Sequence, residues 1–271
     1  MTMRLAIEHH TIYRFSKPQA RLVQMLRLTP ADTVDQTVLS WRIDVDCDVR
    51  LRDSLDGFGN KVTMLYADGP IEAIEITVAG QVLTTESSGV VRGSFEPLPS
   101  DVFRRATPRT EGNEALTAFV GEAQHGCSGS LDCLHRWNAA LAKRFRGAPD
   151  LPDTGLSAAQ ALAAAEPSSR DLAHIFIAGA RAIDVPARYV SGYRQGEGDA
   201  CAPHGWAEAW VERLGWVGFD PSAGRSPDEQ YVRVAVGLDA PGAATIAGSR
   251  LGQGKEELEV DLHVDQLGND A

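Results

Sequence analysis

The sequence predicts an α+β fold in which a β-rich part, residues 1–105, precedes a part, residues 106–271, that opens with helices and closes with strands. Three observations predict it. "RLAIEHHTIYRF" and "LSWRIDVDCDVRLR" alternate apolar and polar residues with the period of two of half-buried strands. Four segments between residues 113 and 184 carry the helical period, with apolar residues three and four apart. From residue 187 the strand pattern returns.

In order along the chain, the first strand would bury Leu5, Ile7, His9, Thr11 and Tyr13 or Phe15 on one face. A second would bury Trp41, Ile43, Val45, Cys47 and Val49, and "DGFGNKVTMLYAD" places a Gly- and Asn-containing turn at Asp56–Asn60, which predicts a hairpin. "IEAIEITVAGQVLTT" adds more strand, so the amino-terminal part is expected to be an antiparallel sandwich or barrel-like module. Prolines and charges interrupt every period in "FEPLPSDVFRRATPRT", which marks a boundary near residues 95–110. Helices follow in "NEALTAFVGEAQ", "LDCLHRWNAALAKRFR", "SAAQALAAAE" and "SRDLAHIFIAGARAID". Strands then fit "ARYVSGYRQ", "HGWAEAWVE", "GWVGFDPS" and "YVRVAVGL", with a last one in "EELEVDLHVDQ".

A formal net charge of −11, with no long run of Lys or Arg, argues against a nucleic-acid surface, which needs clustered cations for phosphates. Nothing approaches the roughly 18 consecutive apolar residues of a membrane span, and the amino terminus turns polar too early for a signal peptide. A soluble, cytoplasmic protein is therefore expected, its four cysteines, Cys47, Cys127, Cys133 and Cys201, free thiols. "HGCSGSLDCLH" gathers His125, Cys127, Cys133 and His135, but five residues between the cysteines do not match the short zinc knuckle. That segment reads as a loop entering a helix, and no metal or cofactor is expected. His9 and His10, on opposite faces of one strand, read as structural or exposed.

The chemistry gathers at the mouth of the helix that follows "EPSS". Its first-turn N–H groups are unpaired and carry partial positive charge, so a residue there can cap the helix or face an anion or a developing oxyanion. The plain reading makes Ser168 or Ser169 an N-cap, with Asp171 favoured in the first turn. Two later segments offer partners. In "HGWAEAW" the period of two puts His204, Trp206, Glu208 and Trp210 on one face, with His204 at the strand's start, and in "GWVGFDPS" Asp220 ends the next strand. A hairpin through "VERLG" brings His204 and Asp220 to one end, where a carboxylate can fix the imidazole's tautomer. Nucleophile, then His, then Asp is the order of an acyl-transfer triad; the same His and Asp could equally be a structural pair. Trp206, Trp210 and Trp216 read as core or pocket wall, and Cys201, in a loop with no helix terminus to activate it, is a poor nucleophile.

"SRDLAHIFIAGARAIDVPARYVSGY" followed by "HGWAEAWVERLGWVGFDPS" closely resembles the core of bacterial transglutaminase-like proteins. "HHTIYRF", "LRLTP" and "DGFGN" more weakly resemble the β-rich domain that precedes it. The resemblance implies a papain-like core and a Cys–His–Asp triad for amide hydrolysis or acyl transfer, acting on peptide or protein amides. Position by position, the family's His falls on His204, its Asp on Asp220 and its Cys on Ser169. Leu238 and Ala240, in "GLDA", stand where relatives often carry Arg and Tyr. A thiol, with a pKa of about 8.5, ionises readily beside a helix N-terminus and an imidazolium, whereas a hydroxyl needs a neutral imidazole to take its proton during attack. The resemblance thus implies an acyl-transfer scaffold that is inactive or weakly active, the alternative being a non-catalytic module that binds peptide or protein in the old cleft.

Overall fold

In the computed structural model, residues 2–146, 148, 150–151, 154–196 and 203–268 are described. The amino-terminal half is built on two strands of 25 residues each, β1 (Thr2–Leu26) and β4 (Lys61–Thr85), paired antiparallel along most of their length. Leu5, Ile7, His9, Thr11, Tyr13 and Phe15 of β1 are all buried, as the period of two requires. The pairing shifts register between Arg14 and Arg21, which lets so long a ladder bend. The "LSWRIDVDCDVRLR" segment is two strands rather than one, β2 (Gln36–Val45) and β3 (Arg50–Leu55), both lying on β4. The break falls at Asp46, whose carboxylate accepts the Glu75 backbone N–H at 2.9 Å, a local side-chain contact that competes with the ladder.

The expected sandwich or barrel is a single six-stranded antiparallel sheet, in the order β10-β1-β4-β2, with β3 also on β4 and β9 also on β1. Its last two strands are β9 (Ile246–Leu251), which the sequence pattern did not mark, and β10 (Glu256–Leu267). Both return from the carboxy terminus to pair with β1.

Four helices follow the 95–110 crossing: α1 (Glu114–Ala123), α2 (Ser130–Arg144), α3 (Ala158–Ala163) and α4 (Ser169–Ala182). Then a second antiparallel sheet forms from β5 (Ala187–Arg194), β6 (His204–Val211), β7 (Gly215–Phe219) and β8 (Tyr231–Gly237), in the order β7-β6-β5-β8. α4 is buried on nearly every side, from Asp171 to Ala180, which makes it a central helix rather than the one-faced helix its period suggests. Gly179 permits this packing, because a Cβ there would stand 2.6 Å from Trp137 Nε1, which donates to the Phe176 carbonyl at 3.2 Å.

Two amide side chains join the sheets. The backbone of β8 at Arg233 and Val236 pairs with the side chains of Gln36 and Asn60, each donating to a carbonyl and accepting from the N–H of the same residue at 2.8–2.9 Å. The "DGFGN" turn thus closes the β3–β4 hairpin and also covers an open strand edge.

One thiol expectation is corrected: Cys127 and Cys133 form a disulfide, with Cα atoms 5.2 Å apart, because the turn before α2 folds the loop back on the helix's first residues. Cys47 is a free thiol, and Cys201 lies outside the described residues. Thiol titration of the denatured protein is expected to gain two groups after reduction; an unchanged count would contradict the pairing.

Candidate active site

The Ser168–Ser169 ambiguity resolves into a division of labour. Ser168 is the N-cap of α4, and its Oγ accepts from the Asp171 N–H at 3.2 Å while the Asp171 carboxylate accepts from the Ser168 N–H at 2.9 Å and from its Oγ at 2.7 Å. This is a capping box with Asp in place of the usual Glu. Thr154 Oγ1 donates to the other Asp171 oxygen at 2.8 Å. With the capping done by its neighbour, Ser169 is free to turn its hydroxyl toward the end of the second sheet.

That sheet end collects charge because its strands alternate in direction. β6 and β8 begin there and β5 and β7 end there, so His204, Tyr231, Arg194 and Asp220 converge although up to 37 residues separate them in sequence. The hairpin expected between β6 and β7 is present, with Val211 opposite Gly215 and Ala207 opposite Phe219. It places His204 Nε2 at 2.8 Å from Asp220 Oδ2. Asp220 is itself held by a tight turn: its Oδ1 accepts the Ser222 N–H at 2.9 Å and the Ser222 hydroxyl at 2.6 Å, and its Oδ2 accepts the Tyr231 phenol at 2.7 Å. Trp206 stacks beside the imidazole, with ring centroids 6.0 Å apart.

The third expected member is close, but another residue intervenes. Ser169 Oγ donates to Asp150 Oδ1 at 2.5 Å, and the same oxygen lies 2.6 Å from His204 Nδ1. Arg194 approaches both carboxylates, at 3.6 Å from Asp150 and 3.5 Å from Asp220. Ser169, His204 and Asp220 are therefore brought together as Ser169–Asp150–His204–Asp220. Sequence reasoning missed Asp150, Arg194 and Tyr231; the last two become visible only once the strand order is known.

The electrostatics follow from who faces whom. Both ring nitrogens of His204 meet carboxylate oxygens, which only accept, so the ring donates twice and is an imidazolium. Burial alone lowers the affinity of His204 for its second proton, but the charge of Asp220 and the hydrogen bonds to Asp150 and Asp220 outweigh it, and its pKa rises. Burial pushes Asp220 the other way as well, yet His204 and the Ser222 and Tyr231 hydroxyls hold it well below the usual carboxylate range. Asp150 is likewise lowered against its own burial, chiefly by His204 and then by Ser169 and Arg194. Tyr231 is raised by burial and by Asp220, and stays a neutral donor.

Glu208, four positions further into β6 than His204, does separate work. It lies buried between Arg188 and Arg233 at 2.7 and 2.8 Å, with Arg188 also paired to Glu96 at 2.6 Å. Leu238 and Ala240 are engaged through their backbones: the Leu238 carbonyl accepts from Arg181, and the Ala240 N–H donates to His174 Nε2 at 2.9 Å. His9, buried, contacts Tyr193 and Thr11, and burial lowers its pKa to about 4. Among the described residues no group of His, Cys, Asp and Glu is arranged to hold a metal.

Comparison with known proteins gives this geometry a lineage. Residues 5–83 match the bacterial transglutaminase-like N-terminal region, and residues 117–221 match the transglutaminase-like superfamily core. An uncharacterized protein of Mycobacterium leprae is 28% identical, over 97% of this chain and 99% of its own length. An uncharacterized protein of Mycobacterium tuberculosis is 25% identical, over 97% of this chain and 92% of its own. A crystal structure of a protein from Cytophaga hutchinsonii, proposed to be a cysteine protease, shares the fold at 17% identity, with a TM-score of 0.78 over 100% of this chain and 93% of that one. With its core matched over residues 117–221 and the bacterial transglutaminase-like N-terminal region matched before it, the chain belongs to the transglutaminase-like superfamily.

Proposed function

We propose that this protein is an acyl-transfer scaffold for peptide or protein amides in which Ser169 occupies the nucleophile site and supports little or no turnover. The observation that carries this reading is the placement of Ser169 as the first residue of α4, on the same carboxylate oxygen as an imidazole that Asp220 orients. An amide carbonyl brought to Ser169 would lie where the first-turn N–H groups of α4 can stabilise an oxyanion. What is missing is a base. Nδ1 of His204 carries a proton and cannot accept one from the hydroxyl, while Asp150, a weakly basic carboxylate, is poorly matched to deprotonating an alcohol. A thiol needs less help, because it ionises before attack rather than during it.

A panel of peptide amides, with water or a primary amine as acceptor, tests this reading. The protein and its Ser169→Ala variant are expected to match, and Ser169→Cys to exceed both by roughly 100-fold, the lower range for a nucleophile working with a positioned acid or base. Turnover by the unaltered protein far above the alanine variant would contradict the weak-activity reading. Silence from every variant would contradict acyl transfer and favour the alternative of a module that only binds peptide in this cleft. The burial of Ser169 supports that alternative to the extent that no substrate atom reaches its oxygen in this conformation, Ser169 being 0% exposed.

A further inference from the structure

Asp150 stands where a nucleophile and an imidazole would otherwise meet. Its Oδ1 is shared between Ser169 Oγ at 2.5 Å and His204 Nδ1 at 2.6 Å, and its Oδ2 faces Arg194. The charged and titratable groups around the ring come from separate elements: Asp150 from the segment after α2, Asp220 from the turn after β7, Arg194 from the end of β5 and Tyr231 from the start of β8. Two carboxylates thus balance one imidazolium and one guanidinium. Ser169, His204 and Asp220 are all buried, and the Asp150 side chain, 16% exposed, is the member of the chain of contacts that reaches solvent.

We propose that Asp150 is a positioning residue that locks this site: it supplies the anion that His204 would otherwise share with a nucleophile at position 169, and so keeps the ring charged and residue 169 unreactive. This rests on position 169 being the nucleophile site. An Nδ1–H directed at one anion is not available to another, so a hydroxyl, which carries no charge, leaves the imidazolium needing a partner, and the Asp150 carboxylate meets that need. A thiolate at position 169 would have to displace that carboxylate while being repelled by it, and a like charge at hydrogen-bond distance raises a thiol's pKa. Restoring the thiol alone therefore recovers only part of its reactivity, the rest being held back by the Asp150 carboxylate. Asp150 also accounts for the occlusion of Ser169, since its oxygen occupies the approach to the hydroxyl on the imidazole side.

The experiment uses the full chain and two readouts that need no amide turnover. In the Ser169 background, Asp150→Asn removes the charge and keeps the shape, and the His204 ring is followed by NMR against pH. Its titration midpoint is expected to fall by about one unit, the lower end of what a contacting carboxylate contributes. In the Ser169→Cys background, the rate at which iodoacetamide alkylates residue 169, the sulfur displacing iodide, is read by peptide mass with and without Asp150→Asn. The doubly altered protein is expected to react about tenfold faster at neutral pH, the change that one unit in the thiol's pKa produces. Asp150→Ala is run alongside, and thermal melting identifies any variant that fails to fold. An unmoved His204 midpoint, or equal alkylation rates in folded proteins, overturns the lock even if Ser169→Cys turns over amides. Both shifts in proteins that turn over no amide would leave the lock standing and remove the acyl-transfer reading.

Discussion

Replacing Glu208 with alanine is expected to destabilise the protein by about 3–5 kcal/mol, the usual cost of removing one partner from a buried ion pair. Glu208 is 0% exposed and neutralises Arg188, also 0% exposed, together with Arg233. Arg188 is further enclosed by Trp216, its guanidinium 3.9 Å from the ring centroid. The carboxylate's own burial would raise its pKa, but the two guanidiniums pull it down to about 2. Because that folded value is depressed, the stabilisation is present above 4.5, the ordinary value, and fades as the pH falls through about 2. Without Glu208, Glu96 still faces Arg188, while Arg233 loses its buried anion. Urea unfolding midpoints of the protein and of Glu208→Ala measure the loss; a difference below about 1 kcal/mol, the scale of an exposed pair, would show that the cluster is solvated rather than buried.

The second large effect belongs to the candidate site and depends on pH. Asp220→Ala leaves His204 buried with one carboxylate instead of two, and it strands the Tyr231 hydroxyl, so a loss of about 3–5 kcal/mol is expected near pH 5. The sign of the pH dependence is set by both partners. The folded pKa of His204 is raised above 6.5, so its share of the stability is complete below 6.5 and disappears as the pH climbs through the raised value. The folded pKa of Asp220 is lowered below 3.8, so its share is complete above 3.8 and disappears as the pH drops through the lowered value. The gap between the protein and the variant should therefore be widest between 3.8 and 6.5 and narrow on the alkaline side. Unfolding free energies across this range check it, and a gap that stays constant well into alkaline pH would mean that the ring is neutral in the folded protein.

Both effects act on residues that the strand period already aligned. His204 and Glu208 could be read as one face of β6 because alternation fixes which side chains share a side, and Asp220 could be placed beside His204 because a short turn forces the two strands into register. The helix mouth was legible for the opposite reason, a capping signature, although capping chemistry alone could not say which serine caps. Only the Asp171 carboxylate, closing on Ser168, assigns the roles. The amino-terminal sheet shows the limit of periodicity. Alternation identifies strand but not where it stops, so β1 runs on to Leu26, "LSWRIDVDCDVRLR" breaks at Asp46, and β9 carries too little alternation to be seen.

What the sequence withheld at the site is long-range. Asp150 stands between prolines in the sequence with nothing in its neighbours to mark it, and its importance comes from a fold that brings its carboxylate to Ser169 at the mouth of α4. Arg194 and Tyr231 end and begin strands, positions without any motif, and reach Asp220 only because β5 lies between β6 and β8. The Cys127–Cys133 bridge was hidden because its five intervening residues argue against zinc without arguing for a disulfide.

The most direct test of an acyl-transfer scaffold is the covalent intermediate itself. After a single exposure to an activated peptide ester, intact-protein mass and peptide mapping of the Ser169→Cys protein, with Ser169→Ala as reference, should find one acyl group on residue 169. The account predicts that adduct in the cysteine variant, strengthened when Asp150→Asn is added, and its absence in the alanine variant. An equal adduct in both proteins, or acylation only at Cys47 or Cys201, would contradict it.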